Sequence, residues 1–252
     1  MTEPVVASLE RGILSLTLNR AEKRNALNAA SVELLHQSLE QADLDADVRV
    51  VLIRGAGKDF CAGADLDELL ASADQTPDQN EASAYRLGQI FERIRSLPKP
   101  VVALVQGRAL AGGAGLATAC DLVLAGDNAQ LGYPEIQRGF VPAMVATLLH
   151  RTTGEKMALD LVLTGRLLGA EEARAAGLIT RVVPAAALQS EGTELALRLA
   201  NSSATALALT KRVLFEQEGK SFSEGIRLGA KVNALARSTP DFRTSIASFL
   251  KA

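Results

Sequence analysis

Apolar residues in the first half of the chain recur at two spacings. They come at alternate positions or in unbroken runs, and then at every third or fourth position. Residues 5–9 and 13–18 read as strands joined by a tight turn at Arg11-Gly12, a hairpin. Leu34, Leu35, Leu39 and Leu44 then share one helical face, with Ser31 placed as the cap, and residues 48–53 form a buried strand. Strand, helix and strand in that order imply parallel pairing. A polar, proline-containing stretch at 73–80 leads to a helix through Leu87, Ile90 and Ile94, which stops at Leu97-Pro98. Residues 101–105 make the next buried strand and 122–124 another, while 132–142 is rich in loop formers. From Ala143 the pattern is almost entirely helical, with breaks at Gly154, Gly169, Gly177, Pro184 and Gly219. The chain therefore divides into an α/β half and a helical half. Amphipathic stretches at 205–214 and 226–235 offer more apolar face than one domain needs, which points to faces shared between subunits.

Composition narrows the class. The 252 residues are 48% hydrophobic and 22% charged, ordinary for a globular protein. A chain of this length buries about 75% of its unfolded surface and folds without a metal or disulfide. Against 27 Lys+Arg stand 29 Asp+Glu, a net charge of −2, so there is no broad cationic field of the kind a dedicated nucleic-acid binder needs. Cys61 and Cys120 lie in apolar stretches, the usage of a reduced cytosolic chain. The longest apolar runs are too short to span a bilayer, and residues 1–10 lack a basic-then-apolar signal. A cytoplasmic protein is expected, with no metal, nucleic-acid or membrane partner.

Two turns carry candidate chemistry. Phe60-Cys61-Ala62-Gly63-Ala64-Asp65-Leu66-Asp67-Glu68 passes from extended chain into a helix through small residues, with Asp65 and Glu68 spaced as a capping box. A helix start has unpaired N–H groups and a positive dipole end, so the Ala64 amide is placed to stabilise a carbonyl oxygen that gains charge. A second segment, from Gly107 through Gly112-Gly113 to Leu116, also brings glycines to a helix start. It lacks the Lys-Ser/Thr ending of a phosphate-binding loop and does not fit the dinucleotide fingerprint. Close packing and ordinary capping account for either turn alone; together they suggest a paired oxyanion hole.

A carbonyl group held by two amides acidifies its neighbouring carbon, and the chemistry then needs a base. His36 and His150 read as surface or helix-end residues. Glu135, in Leu131-Gly132-Tyr133-Pro134-Glu135-Ile136, stands between a proline and apolar neighbours, where poor solvation would raise its pKa. Read alone, it is better explained as an exposed loop glutamate.

In order along the chain, Asn19 to Asn28, Val48-Arg49-Val50-Val51-Leu52, the Ala62-Gly63-Ala64-Asp65 turn, Gly112-Gly113, Cys120-Asp121 and Gly132-Tyr133-Pro134-Glu135 resemble the enoyl-CoA hydratase/isomerase (crotonase) family. Thr164-Gly165-Arg166, Ala176-Gly177-Leu178-Ile179 and Val182-Val183 extend the likeness over nearly the whole chain. The resemblance implies an α/β fold, a crotonase-like spiral of ββα units over residues 1–190, followed by a helical trimerisation region over 191–252. It implies a homotrimer or a dimer of trimers acting on an acyl-CoA, with no cofactor beyond the coenzyme A of the substrate. Carried over by motif, Ala64 and Gly112 match the oxyanion donors and Glu135 the second catalytic glutamate. Ala26, Leu27, Ala62 and Leu66 match positions lining adenine and pantetheine, with Asp65 and Gly113 in the same binding set. Lys23 and Arg24 fall where the ligand's phosphates are expected.

One position departs from the pattern. Hydratases of the family with two glutamates carry the first one three residues after the oxyanion glycine, and here that residue is Gly115. Asp67, Glu68, Tyr85 and Tyr133 are candidates to replace it. The run from Tyr133 to Met144 is similar to members classed as hydratases, so hydration of a 2-enoyl-CoA stands first and 3-enoyl to 2-enoyl isomerisation second. A non-catalytic RNA-binding or scaffolding role finds little support in 4% aromatic residues. A serine protease finds less, since neither histidine adjoins a nucleophile-like turn.

Overall fold

The structure is a computed structural model that describes residues 3–251. It opens with the expected hairpin, β1 (Val5–Glu10) and β2 (Ile13–Leu18), closed by Arg11 and Gly12, both at positive φ. Helix α1 (Ala29–Leu44) crosses to β3 (Val50–Gly55), which lies parallel to β2. The short α2 (Leu66–Ala71) and the long α3 (Pro77–Ser96) then lead to β4 (Val101–Val105), parallel to β3. Beyond it run β5 (Arg108–Leu110), α4 (Gly112–Ala119), β6 (Leu122–Gly126) and β7 (Gln130–Gly132). The remainder comprises α5 (Ala143–Thr153), α6 (Glu155–Thr164), β8 (Leu167–Gly169), α7 (Ala170–Ala175), β9 (Arg181–Val183) and α8 (Leu188–Ala200), then α9 (Ala204–Glu216), α10 (Phe222–Arg237) and α11 (Pro240–Phe249).

The main sheet has the order β1-β2-β3-β4-β6-β9, parallel except for the hairpin; a second sheet, β5-β7-β8, stands apart from it. Strands β3 and β4 are buried on both faces, which is why they read as continuous apolar runs rather than alternating ones. One face of the main sheet packs on α1, α3, α4 and α5 through residues such as Leu35, Ile90, Leu116 and Leu149. The other packs on α8 through Leu188, Leu195 and Ala196. The expected boundary at residue 190 thus lies inside α8, and the helices covering the sheet continue to Ala200.

Several expectations need correction. Asn28, not Ser31, caps α1: its Oδ1 accepts from Ser31 N at 2.9 Å, which places Ser31 in the first turn. Helix α3 begins inside the polar stretch 73–80, because Thr76 at the cap and Gln79 two residues past Pro77 form a reciprocal capping box. The region after Ala143 is not wholly helical. Strands β8 and β9 are three residues each, too short to show a period, and exist because β7 and β6 offer edges to them.

The C-terminal helices α9 to α11 contain no buried residue. Lys211 of α9 donates from Nζ to the Ile94 carbonyl at 2.7 Å, to the Lys99 carbonyl at 3.2 Å and to Asp121 Oδ2 at 2.7 Å. Asp121 also accepts from Val101 N at 2.7 Å, so one ion pair joins α9 to the start of β4. Leu214, Phe222, Ile226, Phe249 and Leu250 remain exposed. Among the described residues no helix is long and apolar enough to cross a membrane.

Candidate active site

The first turn is set by a parallel bridge between Leu27 and Ala64. Leu27 N donates to the Gly63 carbonyl at 2.7 Å and Asp65 N donates to the Leu27 carbonyl at 2.9 Å. In that pattern Leu27 uses residues 63 and 65, and the N–H of Ala64 points to the opposite side. Arg20 fixes the same crossing: Nη1 donates to the Ala26 carbonyl at 2.6 Å and Nη2 to Asp65 Oδ2 at 2.7 Å. The other oxygen of Asp65 accepts from Asp67 N at 3.0 Å and so caps α2. Buried Asn25 donates to the carbonyls of Ala56 and Asp59, both at 2.8 Å. Arg20 and Asn25 were missed as supports of the site; nothing local marks a polar side chain as buried when its partners lie 30 to 45 residues away.

The second turn is pressed against the first. A Cβ added to Gly63, at φ 94°, would stand 2.9 Å from Ala111 Cβ and 3.6 Å from Gly112 N; one added to Gly113 would stand 2.4 Å from the Cys61 carbonyl oxygen. Only glycine permits that approach. Ala111 takes φ 51° and ψ −126°, a strained conformation, with its N–H given to the Gly132 carbonyl at 2.8 Å. Gly112 then starts α4, where a first-turn amide has no partner within the helix. Among the described residues, neither Ala64 N nor Gly112 N donates a hydrogen bond within the chain. Leu87 of α3 walls this spot, its Cδ2 lying 3.2 Å from where a Gly112 Cβ would sit.

Glu135 follows β7 in a single 3-10 turn, Pro134–Arg138. It is 7% exposed, so the exposed-loop alternative fails, and its Oε2 is enclosed without a hydrogen-bond partner among the described residues. Burial pushes its carboxyl above the ordinary glutamate range, opposed by a backbone hydrogen bond and by Arg138. The Gly132 carbonyl that anchors Ala111 lies three residues upstream of Glu135, so the amide-bearing turn and the acid-bearing turn share a support.

Where a first glutamate would stand, the space is filled. A Cβ on Gly115 would lie 2.4 Å from Val145 Cγ1 and 3.0 Å from Phe91 Cζ. The four suggested substitutes are otherwise engaged or exposed. Asp67 pairs with Lys23 at 2.8 Å, and Glu68 Oε2 accepts from Ala29 N at 2.8 Å. Tyr85 is exposed, 3.4 Å from Glu92. Tyr133 is fully buried against Thr118.

Of the expected ligand-binding residues, Ala26 and Leu27 are buried beside the first turn, Ala62 is half-buried, Leu66 is exposed at the start of α2 and Gly113 is buried on Cys61. Lys23 is exposed and its ammonium pKa is raised by the hydrogen bond to Asp67. Arg24 is exposed at φ 52°, with its carbonyl accepting from Ala62 N at 3.0 Å. His36 faces the Arg86 carbonyl at 2.7 Å on the surface of α1, and His150 is exposed in the last turn of α5. Burial pushes the Cys61 thiol up to about 12, so it is a neutral packing group.

The family described as Enoyl-CoA hydratase/isomerase matches residues 8–251. A Thermus thermophilus protein provisionally named enoyl-CoA hydratase is 41% identical over 247 residues, spanning 98% of both chains. The 2,3-dehydroadipyl-CoA hydratase of Escherichia coli is 35% identical, covering 100% of this chain and 96% of its own. A 1,2-epoxyphenylacetyl-CoA isomerase of the same organism is 32% identical, over 99% and 96%. Among solved structures, an enoyl-CoA hydratase of Mycobacterium smegmatis superposes with a TM-score of 0.94 at 29% identity, covering 98% and 96%.

Proposed function

Since the chain belongs to the enoyl-CoA hydratase/isomerase family, we propose that it holds an acyl-CoA thioester oxygen between the amides of Ala64 and Gly112 and moves a proton with Glu135. The observation that carries this reading is a buried carboxyl, its Oε2 without a partner, in a turn that shares the Gly132 support with the undonated Gly112 amide, whose own turn is pressed against the one bearing the undonated Ala64 amide. Negative charge that develops on the thioester oxygen is met by preorganised N–H dipoles, which lowers the barrier to removing a proton from carbon 2. The same carboxyl then returns that proton to carbon 4, which converts a 3-enoyl thioester to the conjugated 2-enoyl thioester. Lys23 and Arg24 would meet the phosphates of coenzyme A, with Ala26, Leu27, Ala62 and Leu66 along its adenine and pantetheine.

Isomerisation takes precedence over hydration here because the first acid position, at Gly115, is closed by Val145 and Phe91 rather than open to another carboxylate. Hydration needs a water aimed at carbon 3 as well as a proton for carbon 2, a task that one carboxyl serves poorly. Hydration remains the second reading, favoured by the names of two relatives at 41% and 35% identity. Crotonyl-CoA and a 3-enoyl-CoA, supplied separately while the absorbance of the conjugated thioester is followed, discriminate the two. Gain with the 3-enoyl substrate supports isomerisation, loss with crotonyl-CoA supports hydration, and no change with either rejects the reading.

The exposed apolar faces of α9 to α11 support a homotrimer or a dimer of trimers. A groove of about 850 Å³ runs along α10 past Phe222, Gly225, Ile226 and Gly229. Light scattering coupled to size exclusion tests this, and a monomer would reject it. Two free, buried cysteines accord with a reducing compartment such as the cytoplasm.

A further inference from the structure

Tyr133 is the largest fully buried side chain among the described residues, and it sits two residues before Glu135. Its phenolic oxygen lies 3.1 Å from Thr118 Oγ1, which itself lies 2.8 Å from the Ala114 carbonyl. A threonine hydroxyl has one proton. Given to the Ala114 carbonyl, it leaves Thr118 Oγ1 as the acceptor, so the Tyr133 hydroxyl donates. Burial pushes the phenol up to about 12, which keeps it a protonated donor at working pH.

The segment carrying the acid is therefore tied to α4 at two places. The Ala111 amide holds the Gly132 carbonyl at the start of the helix, and Tyr133 holds Thr118 near its end. Thr118 stands six steps along the helix from Gly112, a rise of about 9 Å. One tie would fix a distance; two ties that far apart also fix the angle between the helix and the turn. The Gly112 amide rides on the helix and Glu135 on the turn.

We propose that Tyr133 is a positioning residue: its hydroxyl, through Thr118, sets the carboxyl of Glu135 against the oxyanion turn. This rests on the reading of Glu135 as the proton carrier. Misplacement by a fraction of an ångström is costly to proton transfer and nearly indifferent to binding, because the coenzyme contacts lie elsewhere.

The test uses the full-length protein and whichever of crotonyl-CoA or 3-enoyl-CoA it turns over, with Glu135→Gln as a control. Tyr133→Phe is expected to lower kcat about tenfold and leave KM within about twofold. Thr118→Val should do the same, the double variant should lose no more than the worse single one, and Thr118→Ser should restore kcat. Where Tyr133→Phe does not fold by circular dichroism, the Thr118→Val and Thr118→Ser pair carries the test. Full kcat in Tyr133→Phe or in Thr118→Val, with Glu135→Gln inactive, overturns the proposal, as do losses that simply add in the double variant. An active Glu135→Gln removes the acid assignment itself, and the proposal with it.

Discussion

Arg20 and Asp65, 45 residues apart, meet at 2.7 Å between Nη2 and Oδ2 with both side chains largely buried, and this pair clamps the end of the first hairpin onto the turn that presents the Ala64 amide. The Arg20 hydrogen bond, aided by the Asp67 amide, holds the Asp65 carboxyl below the usual aspartate range. A depressed folded-state pKa contributes stability above the unfolded value of about 3.9, and that contribution is lost as pH falls through the folded value. Asp65→Asn should therefore cost about 2–3 kcal/mol near neutrality, since Arg20 keeps the Ala26 carbonyl but loses its counter-ion. Chemical denaturation near pH 7 and again near pH 3 checks this, and the difference should shrink at the lower pH.

Glu135→Gln should bind acyl-CoA nearly as well as the parent and turn over about 10²-fold or more slowly. The same variant should be the more heat-stable protein. Burial raises the folded-state pKa of Glu135, so its favourable contribution is complete below the unfolded value of about 4.3 and is lost as pH rises through the folded value. Melting curves of parent and variant should separate near neutral pH, with the variant higher, and converge near pH 4. An unchanged or lower melting temperature at neutral pH would show that the ionised carboxyl is not strained by its surroundings.

Gly112→Pro deletes the proposed donor at the first position of α4, and its effect is read only where circular dichroism is unchanged, since Ala111 before it, at φ 51° and ψ −126°, lies outside the extended range that proline favours in its predecessor. Turnover should fall by about 10²–10³-fold, the usual effect of removing one oxyanion donor. Gly112→Ala, which retains the N–H and meets Leu87 at 3.2 Å, should lose much less. Equal losses in the two variants would point to crowding against Leu87 instead.

Gly115 cannot be converted to the missing glutamate without cost. Gly115→Ala alone should destabilise the fold by about 1–3 kcal/mol through overpacking against Val145 and Phe91, and Val145→Ala in the same chain should recover part of it. Gly115→Glu should unfold the protein before it gains hydration activity. A stable Gly115→Glu variant with increased activity on crotonyl-CoA would contradict the closed first position.

The hairpin at the N-terminus, the helical spacing of Leu35 and Leu39, and the unbroken apolar run at Val101–Val105 were legible because hydrophobic period is a local property of a chain. The glycine turns and their motif spacing were legible for a related reason: a backbone that must pass within van der Waals distance of another tolerates only certain residues. By itself, then, the sequence determined the α/β order, the family and the identity of Glu135, Ala64 and Gly112 as candidates. What it left open was settled by neighbours distant along the chain. Strands β8 and β9 exist only as partners of β7 and β6, the carboxyl of Glu135 is buried only because the turn 134–138 folds inward, and Gly115 is closed only because α3 and α5 deliver Phe91 and Val145 to it. Burial, pKa and free volume are sums over such approaches in space, and no window along the chain contains their terms.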